Sequence, residues 1–107
     1  MATAVHLDEK QFQDTLALSG VVVVDFWATW CMPCKMMAPV MDKLAADYAG
    51  RAVVAKVDVD EEPELAAQYR VQSIPMVMFF KNGQAVSTLI GVRPYETLAA
   101  ELDKLLK

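Results

Sequence analysis

The sequence has few of the side chains that bind metal ions. Its 107 residues include two cysteines and a single histidine, His6. A structural zinc site takes four ligands, so one copy of this chain cannot fill such a site unless a second chain shares it. A chain of this length buries roughly two thirds of its unfolded surface and therefore needs no structural disulfide or metal. We expect no bound metal, and the cysteine pair is left for chemistry.

Clusters of positive charge and long apolar runs are also missing. The net charge is −4, and lysine and arginine form no basic patch, which argues against a nucleic-acid partner. No apolar stretch approaches the roughly 20 residues that cross a bilayer, so we expect no membrane span. Residues 1–10 lack the basic and apolar regions of a signal peptide. We therefore predict a cytoplasmic location, although a mature exported chain would look the same. In the cytoplasm a disulfide is usually transient and catalytic.

The apolar pattern predicts a single domain, residues 1–107, in which helices and strands alternate. The predicted helices cover 9–18, 33–48, 61–69 and 94–106, with Asp8 and Asp60 as caps of the first and third. The predicted strands cover 21–28, 52–59, 76–80 and 85–90, with a further short strand near 4–7. The Asn82-Gly83 pair favours a tight antiparallel hairpin. This order predicts an α/β fold with a mixed central sheet covered on both faces.

The cysteines lie in the segment Trp30-Cys31-Met32-Pro33-Cys34-Lys35, between a predicted buried strand and a predicted helix. Cys31 falls near the helix N-cap, and Cys34 lies one turn further on the same face, so the two sulfurs can meet. The unpaired N–H groups and the positive end of the helix dipole favour a thiolate at Cys31, and the thiolate is the nucleophile. We therefore predict that Cys31 attacks a substrate disulfide and that the more buried Cys34 resolves the mixed disulfide.

Two other uses of the cysteine pair are less consistent with the sequence. Half of a metal or cluster site would need ligands that this chain does not offer. A purely structural disulfide would close so small a loop that it removes little entropy from the unfolded chain.

Two charged residues interrupt apolar strands. Asp25 lies in the run that leads to the cysteines, and Lys56 lies in the next predicted strand. An unpaired buried carboxylate is costly and tends to stay protonated at neutral pH. We interpret Asp25 as a proton acceptor and donor for Cys34, with Lys56 tuning it. The alternative is a register irregularity that turns Asp25 toward solvent.

Together these residues resemble the thioredoxin family over nearly the whole chain. The resemblance is carried by Asp25-Phe26-Trp27-Ala28, Trp30-Cys31, Pro33-Cys34-Lys35, Pro39, Lys56 to Asp60, Ile74-Pro75, Phe79 to Gly83 and Gly91. It implies the thioredoxin fold, with a five-stranded mixed central sheet flanked by four helices. It also implies that Pro75 is cis and lies against the cysteines, where the Ile74 backbone can pair with an extended substrate. It supports Asp25 and Lys56 as a buried pair.

The resemblance further implies a flat apolar docking surface beside the cysteines. We call this set the docking surface: Trp30, Met32, Pro33, Val59, Ile74, Pro75, Ile90, Gly91 and Val92. The expected partners are disulfide-containing protein substrates and a flavin-containing thioredoxin reductase that supplies electrons from NADPH. The chain itself is expected to carry no bound cofactor and to be a monomer.

The sequence departs from the family pattern next to the reactive cysteine. Met32-Pro33 stands where the family has Gly-Pro, and methionine removes the freedom of glycine and adds an adaptable apolar side chain. We expect this change to alter the redox potential or the substrate preference; the alternative is a neutral change at an exposed position. The leading hypothesis is a protein-disulfide reductase. A specialised or more oxidising relative is the second, and a redox-insensitive docking subunit is a third, from a different functional class.

Overall fold

The computed structural model describes residues 3–107 and gives five strands and four helices within that range. The strands are β1 Val5–His6, β2 Val21–Trp27, β3 Val53–Asp58, β4 Met76–Lys81 and β5 Gln84–Ile90. The helices are α1 Glu9–Leu18, α2 Met32–Asp47, α3 Pro63–Gln68 and α4 Tyr95–Leu105. The predicted order of helices and strands, including the short first strand, is confirmed.

The strands form one mixed sheet in the order β1-β3-β2-β4-β5. The first three strands in that order are parallel, while β4 runs antiparallel to β2 and β5 antiparallel to β4. The predicted hairpin joins β4 to β5, and both of its turn residues have positive φ, 53° at Asn82 and 84° at Gly83. A turn of this kind matches the twist of the strands, which explains why Asn-Gly predicted it.

The sheet has a hydrophobic core on each face. Side chains of β2 alternate between the two cores, as the pleat of a strand requires. The core toward α2 and α4 includes Val21, Val23, Val77, Phe79, Met37, Met41, Leu44, Leu98 and Leu102. The core toward α1 and α3 includes Val22, Val24, Phe26, Phe12, Leu16, Leu65 and Phe80. Burial on both faces is what the uninterrupted apolar run of β2 predicted.

The two predicted helix caps have different outcomes. Asp8 caps α1, because its carboxylate accepts the Gln11 N–H at 2.8 Å. The prediction that Asp60 caps α3 is wrong, since α3 begins at Pro63 and its N-cap Glu62 makes no side-chain cap. The Asp58 carboxylate, at the end of β3, accepts hydrogen bonds from the backbone N–H groups of Asp60 and Glu61 at 2.8 and 3.3 Å. The turn before α3 is therefore organised by the carboxylate at the strand end.

Four strand ends meet at the edge of the sheet from which α2 leaves. Trp27 at the end of β2 pairs with Asp58 at the end of β3. On the other side, Phe26 pairs with Met76 at the start of β4, and Met76 pairs with Ile90 at the end of β5. This edge therefore brings together the segments that sequence analysis associated with the cysteines.

Candidate active site

The two cysteines form a disulfide at the N-terminus of α2. Their Cα atoms are 5.2 Å apart. Cys31 is the N-cap, with an extended backbone at φ −89° and ψ 106°, and Pro33 lies in the first turn. Proline is tolerated there because the first turn of a helix has no intrahelical N–H bond to lose. A short loop therefore connects the end of β2 to α2, and the disulfide lies at the first turn of that helix.

The two sulfurs differ in their hydrogen bonding more than in their exposure. The backbone N–H of Cys34 donates to Cys31 Sγ at 3.2 Å. Cys31 and Cys34 are 4% and 2% exposed, so the predicted burial of Cys34 is found but Cys31 is buried as well. The helix N-terminus directs its N–H groups and its positive dipole end at Cys31 Sγ, which favours negative charge on that atom after reduction.

Cys31 also lies against the segment that contains the cis proline. Its Sγ is 3.9 Å from the carbonyl oxygen of Ile74, and the Ile74–Pro75 peptide bond is cis. Ile74, together with Trp27 and Val59, packs against a small buried cluster formed by Ala28 and the two cysteines. The disulfide is thus held between α2, the end of β2 and the loop before β4.

Asp25 is fully buried, so the alternative in which it turns toward solvent is wrong. Neither of its carboxylate oxygens has a hydrogen-bond partner within residues 3–107. Burial raises the pKa of Asp25 to about 7, and the positive charge of Lys56 opposes that shift. A carboxyl group in this state exchanges its proton near neutral pH, as a general acid or base requires.

Asp25 and Cys34 point into the same interface between the sheet and α2. Asp25 lies two residues after Val23, whose side chain packs in the core with Met37 of α2, so alternation places it on the same sheet face. Cys34 lies three residues before Met37 and so shares its helix face. The structure therefore brings the predicted proton carrier and the predicted resolving cysteine to one side of the sheet.

Lys56 is the register partner of Asp25 on β3, but it is only half-buried and forms no ion pair with Asp25, so the expectation of a buried pair is wrong for Lys56. Within residues 3–107, no lysine or arginine nitrogen lies within 4 Å of that carboxylate. Instead the Lys56 Nζ lies 4.5 Å from the centroid of the Trp27 ring. Sequence reasoning assigned no role to Trp27, although its position two residues after Asp25 puts it on the same face. The ring holds the ammonium near Asp25 by a cation–π contact.

The docking surface is partly apolar and exposed. Trp30 and Met32 are 67% and 66% exposed, and Pro33, Ile90 and Val92 are also exposed. Val59, Ile74 and Gly91 are half-buried. Pro75 is buried, so it supports this surface but adds little exposed area to it. The Gly91 N–H donates to the Pro75 carbonyl at 2.9 Å, which joins the β5 end of the surface to the cis-proline segment.

Two side chains that sequence reasoning left out belong to this surface. Asp60, predicted as a helix cap, accepts a hydrogen bond from the Trp30 indole N–H at 2.8 Å. Met36 lies one turn after Met32 on α2 and is similarly exposed. The spacing of four residues between the methionines was the available signal for Met36. The contact between Trp30 and Asp60 spans 30 residues of sequence and had no local signal.

The candidate site is an open surface that carries exposed side chains such as Trp30 and Met32. No group of three or more His, Cys, Asp or Glu side chains in residues 3–107 is arranged to hold a metal ion. A surface cavity of about 530 Å³ is lined by Gly20, Asn82 and Gly83 among others, at the opposite end of β2. Within the same range, no helix is both long and apolar enough to cross a membrane.

Comparison with known proteins gives one consistent result. The family model described as Thioredoxin matches residues 3–104. Curated thioredoxins from Staphylococcus aureus strains Mu50 and MW2 are 57% identical over 93 residues, which is 87% of this chain and 89% of theirs. A mutant thioredoxin from Halobacterium salinarum NRC-1 superposes with a TM-score of 0.91 at 31% identity, covering 98% of this chain and 92% of that one. Plasmodium falciparum thioredoxin superposes with a TM-score of 0.87 at 32% identity, covering 94% of this chain and 98% of that one.

Proposed function

The chain belongs to the thioredoxin family, whose members are thiol–disulfide oxidoreductases, and from that premise we propose that it is a protein-disulfide reductase. One observation carries the assignment of the attacking cysteine: the Cys34 N–H donates to Cys31 Sγ at the start of α2. A negative charge on Cys31 is stabilised there, so Cys31 is the attacking thiolate.

The reaction runs in two exchange steps. The Cys31 thiolate attacks one sulfur of a substrate disulfide, which forms a mixed disulfide and releases the other substrate sulfur as a thiolate. The Cys34 thiolate then attacks Cys31 Sγ, which closes the Cys31–Cys34 disulfide and releases the second substrate sulfur as a thiolate. Two electrons pass from the protein dithiol to the substrate.

Asp25 takes the proton from the Cys34 thiol before the second step. Cys34 is buried, so solvent has poor access to its proton, while the Asp25 carboxyl on the same side of the sheet has a pKa of about 7. The Lys56 ammonium, held on the Trp27 ring, keeps that pKa from rising further. Asp25 and Lys56 are thus the proton carrier and its tuning charge.

A complete cycle needs a donor that reduces the disulfide again. Family members need no bound cofactor, and a reductase partner is general in the family. The finer proposal is a flavin-containing thioredoxin reductase that passes electrons from NADPH to this chain. Substrate and reductase both use the docking surface, with the Ile74 backbone pairing with an extended segment. We further propose that residues 1–107 act as one thioredoxin domain, as a monomer in the cytoplasm.

Reduction of insulin with dithiothreitol as the electron source tests this function. We expect the chain to accelerate insulin precipitation well above dithiothreitol alone. A variant with both cysteines replaced by serine serves as the control and should return the rate to background. A chain that folds normally but shows no acceleration would point to the redox-insensitive docking subunit instead.

The position of Met32 favours a second candidate function, that of a specialised thiol–disulfide oxidoreductase with a shifted redox potential. Its side chain is 66% exposed and lies directly after Cys31 in the chain, in contact range of any docked partner. We expect Met32→Gly to shift the potential or the reaction rate with the reductase. A shift of about 30 mV corresponds to a tenfold change in the equilibrium constant.

Equilibration with glutathione mixtures measures the potential of the Met32 variant. The control is Leu18→Ala, which removes an exposed apolar side chain at the end of α1, outside the docking surface, and preserves the helix. Equal potentials together with equal partner kinetics for Met32→Gly and the unchanged protein would show that Met32 has no such role.

A further inference from the structure

Arg93, in the loop between β5 and α4, is held at two points. Its backbone N–H contacts the Met37 sulfur at 3.4 Å. Its Nε and Nη2 both donate to the carbonyl oxygen of Ile90, at 3.1 and 3.0 Å. No carboxylate within residues 3–107 lies within 4 Å of this guanidinium. The charge is therefore oriented by the backbone and carries no acidic partner from the described chain.

One edge of the Arg93 guanidinium is available to bind a ligand. The Nε–Nη2 edge is occupied by the Ile90 oxygen. The other edge, Nη1–Nη2, has no hydrogen-bond partner among residues 3–107. A guanidinium edge fits a carboxylate with two parallel hydrogen bonds. Since the side chain is already fixed, less conformational entropy is lost when such a carboxylate binds.

The guanidinium stands at one flank of the docking surface. Ile90 pairs with Met76, the residue after the cis proline, and the Gly91 N–H bonds to Pro75. Arg93 is thus anchored one strand beyond the cis-proline segment, which itself lies next to Cys31. At the opposite flank, on the β3 side, the Asp60 carboxylate bonds to Trp30. The docking surface therefore has a positive flank at β5 and a negative flank at β3, with Cys31 between them.

We propose that Arg93 is a specificity residue that selects disulfide substrates with an aspartate or glutamate close to the reacting cysteine. The substrate carboxylate binds the Nη1–Nη2 edge while Cys31 attacks the disulfide. This inference rests on the proposed reductase function. The net charge of −4 would by itself disfavour acidic substrates, so a preference for acid at one position requires a local cation.

A set of disulfide-bonded peptides tests the inference. The peptides differ only in carrying Glu, Gln or Lys at successive positions on either side of one cysteine. The measurement is kcat/KM for their reduction by the reduced protein, recycled with dithiothreitol. At one position we expect Glu to be preferred over Lys by about fivefold, which corresponds to about 1 kcal/mol, and the preference should shrink at high salt.

Four substitutions at three cations, Arg93, Lys107 and Lys35, identify the cation responsible. Arg93→Gln should abolish the preference while leaving the Gln peptide reduced at the original rate. Arg93→Lys keeps the positive charge but cannot donate two parallel hydrogen bonds to one carboxylate, so it should retain only part of the preference. Lys107→Gln makes the same charge change at the far end of α4 and should change nothing, and Lys35→Gln tests the exposed cation beside Cys34.

The outcomes separate this inference from the function on which it rests. If the unchanged protein reduces none of the peptides and no insulin, the reductase function fails. If it reduces all the peptides but shows no preference for Glu, or if the preference survives undiminished in Arg93→Gln, the role of Arg93 is overturned. Loss of the preference in Lys35→Gln alone would overturn it too, because the selecting cation would then be Lys35. Unfolding by urea verifies that each variant remains folded.

Discussion

Replacing Cys34 with serine is expected to turn the protein into a covalent trap for its substrates. Cys31 retains the N-terminus of α2 and its N–H donor, so it still attacks a substrate disulfide. A serine hydroxyl cannot carry out the second exchange, and the mixed disulfide persists. Incubation with a disulfide peptide should therefore give one peptide bound per protein, which mass spectrometry of the intact adduct measures. Turnover of insulin should fall to background.

The matched substitution Cys31→Ser should give neither turnover nor a stable adduct. Cys34 lies one turn inside α2 and lacks the N–H donor and the N-cap position that stabilise a thiolate at Cys31, so its thiol is the weaker nucleophile toward a substrate disulfide. The two variants thus differ by position alone, because each retains one thiol. Equal adduct formation by both would contradict the assignment of Cys31 as the attacking cysteine, and an adduct on Cys34 alone would reverse it.

Much of this fold was predictable because its signals are local. The unbroken apolar run of β2 indicated a strand buried on both faces, and Asn82-Gly83 indicated the hairpin. The position of Cys31 and Cys34 at the start of a helix also followed from the sequence pattern. The failed cap at Asp60 has a local cause as well. Asp58 and Asp60 are both suited to organise the turn before α3, and only the structure shows that Asp58 does so.

The remaining features of the site depend on contacts between distant segments. Lys56 lies on the Trp27 ring because β2 and β3 are in a particular register, which the sequence does not specify. Asp60 reaches Trp30 across the sheet edge, and the orientation of the Arg93 side chain depends on where β5 ends. Periodicity identifies which face of β3 Lys56 occupies but not its partner. Asp60 and Arg93 lie in loops, where periodicity gives no signal at all.

The free energy of unfolding should depend on pH differently when Asp25 is replaced by alanine. The pKa of Asp25 is raised from 3.8 to about 7 in the folded protein, so the folded state holds this proton more tightly than the unfolded state. The stability that the proton contributes is complete below pH 3.8 and is lost as the pH rises through about 7. Since one pKa unit corresponds to about 1.4 kcal/mol, the whole loss is about 4 kcal/mol.

We therefore expect the difference in free energy of unfolding between Asp25→Ala and the unchanged protein to change with pH. From pH 4 to pH 8 it should shift by about 4 kcal/mol in favour of Asp25→Ala. Urea unfolding of the oxidised form measures this, because neither cysteine titrates in the disulfide, and His6 is present in both proteins. The comparison with pH 4 cancels the constant cost of the cavity that alanine leaves. Parallel stability curves for the two proteins would show that the Asp25 pKa is not raised by folding.

The same titration should govern the second exchange step. Asp25 accepts a proton from Cys34 only when its carboxyl is ionised, so release of substrate from the mixed disulfide should accelerate as the pH rises through about 7. Asp25→Asn keeps the shape of the side chain but cannot accept the proton, and it should slow this step most near neutral pH. Rapid-quench measurement of mixed-disulfide decay isolates the step from the initial attack by Cys31. A decay rate that is unchanged at every pH would exclude Asp25 as the proton carrier, whatever its effect on stability.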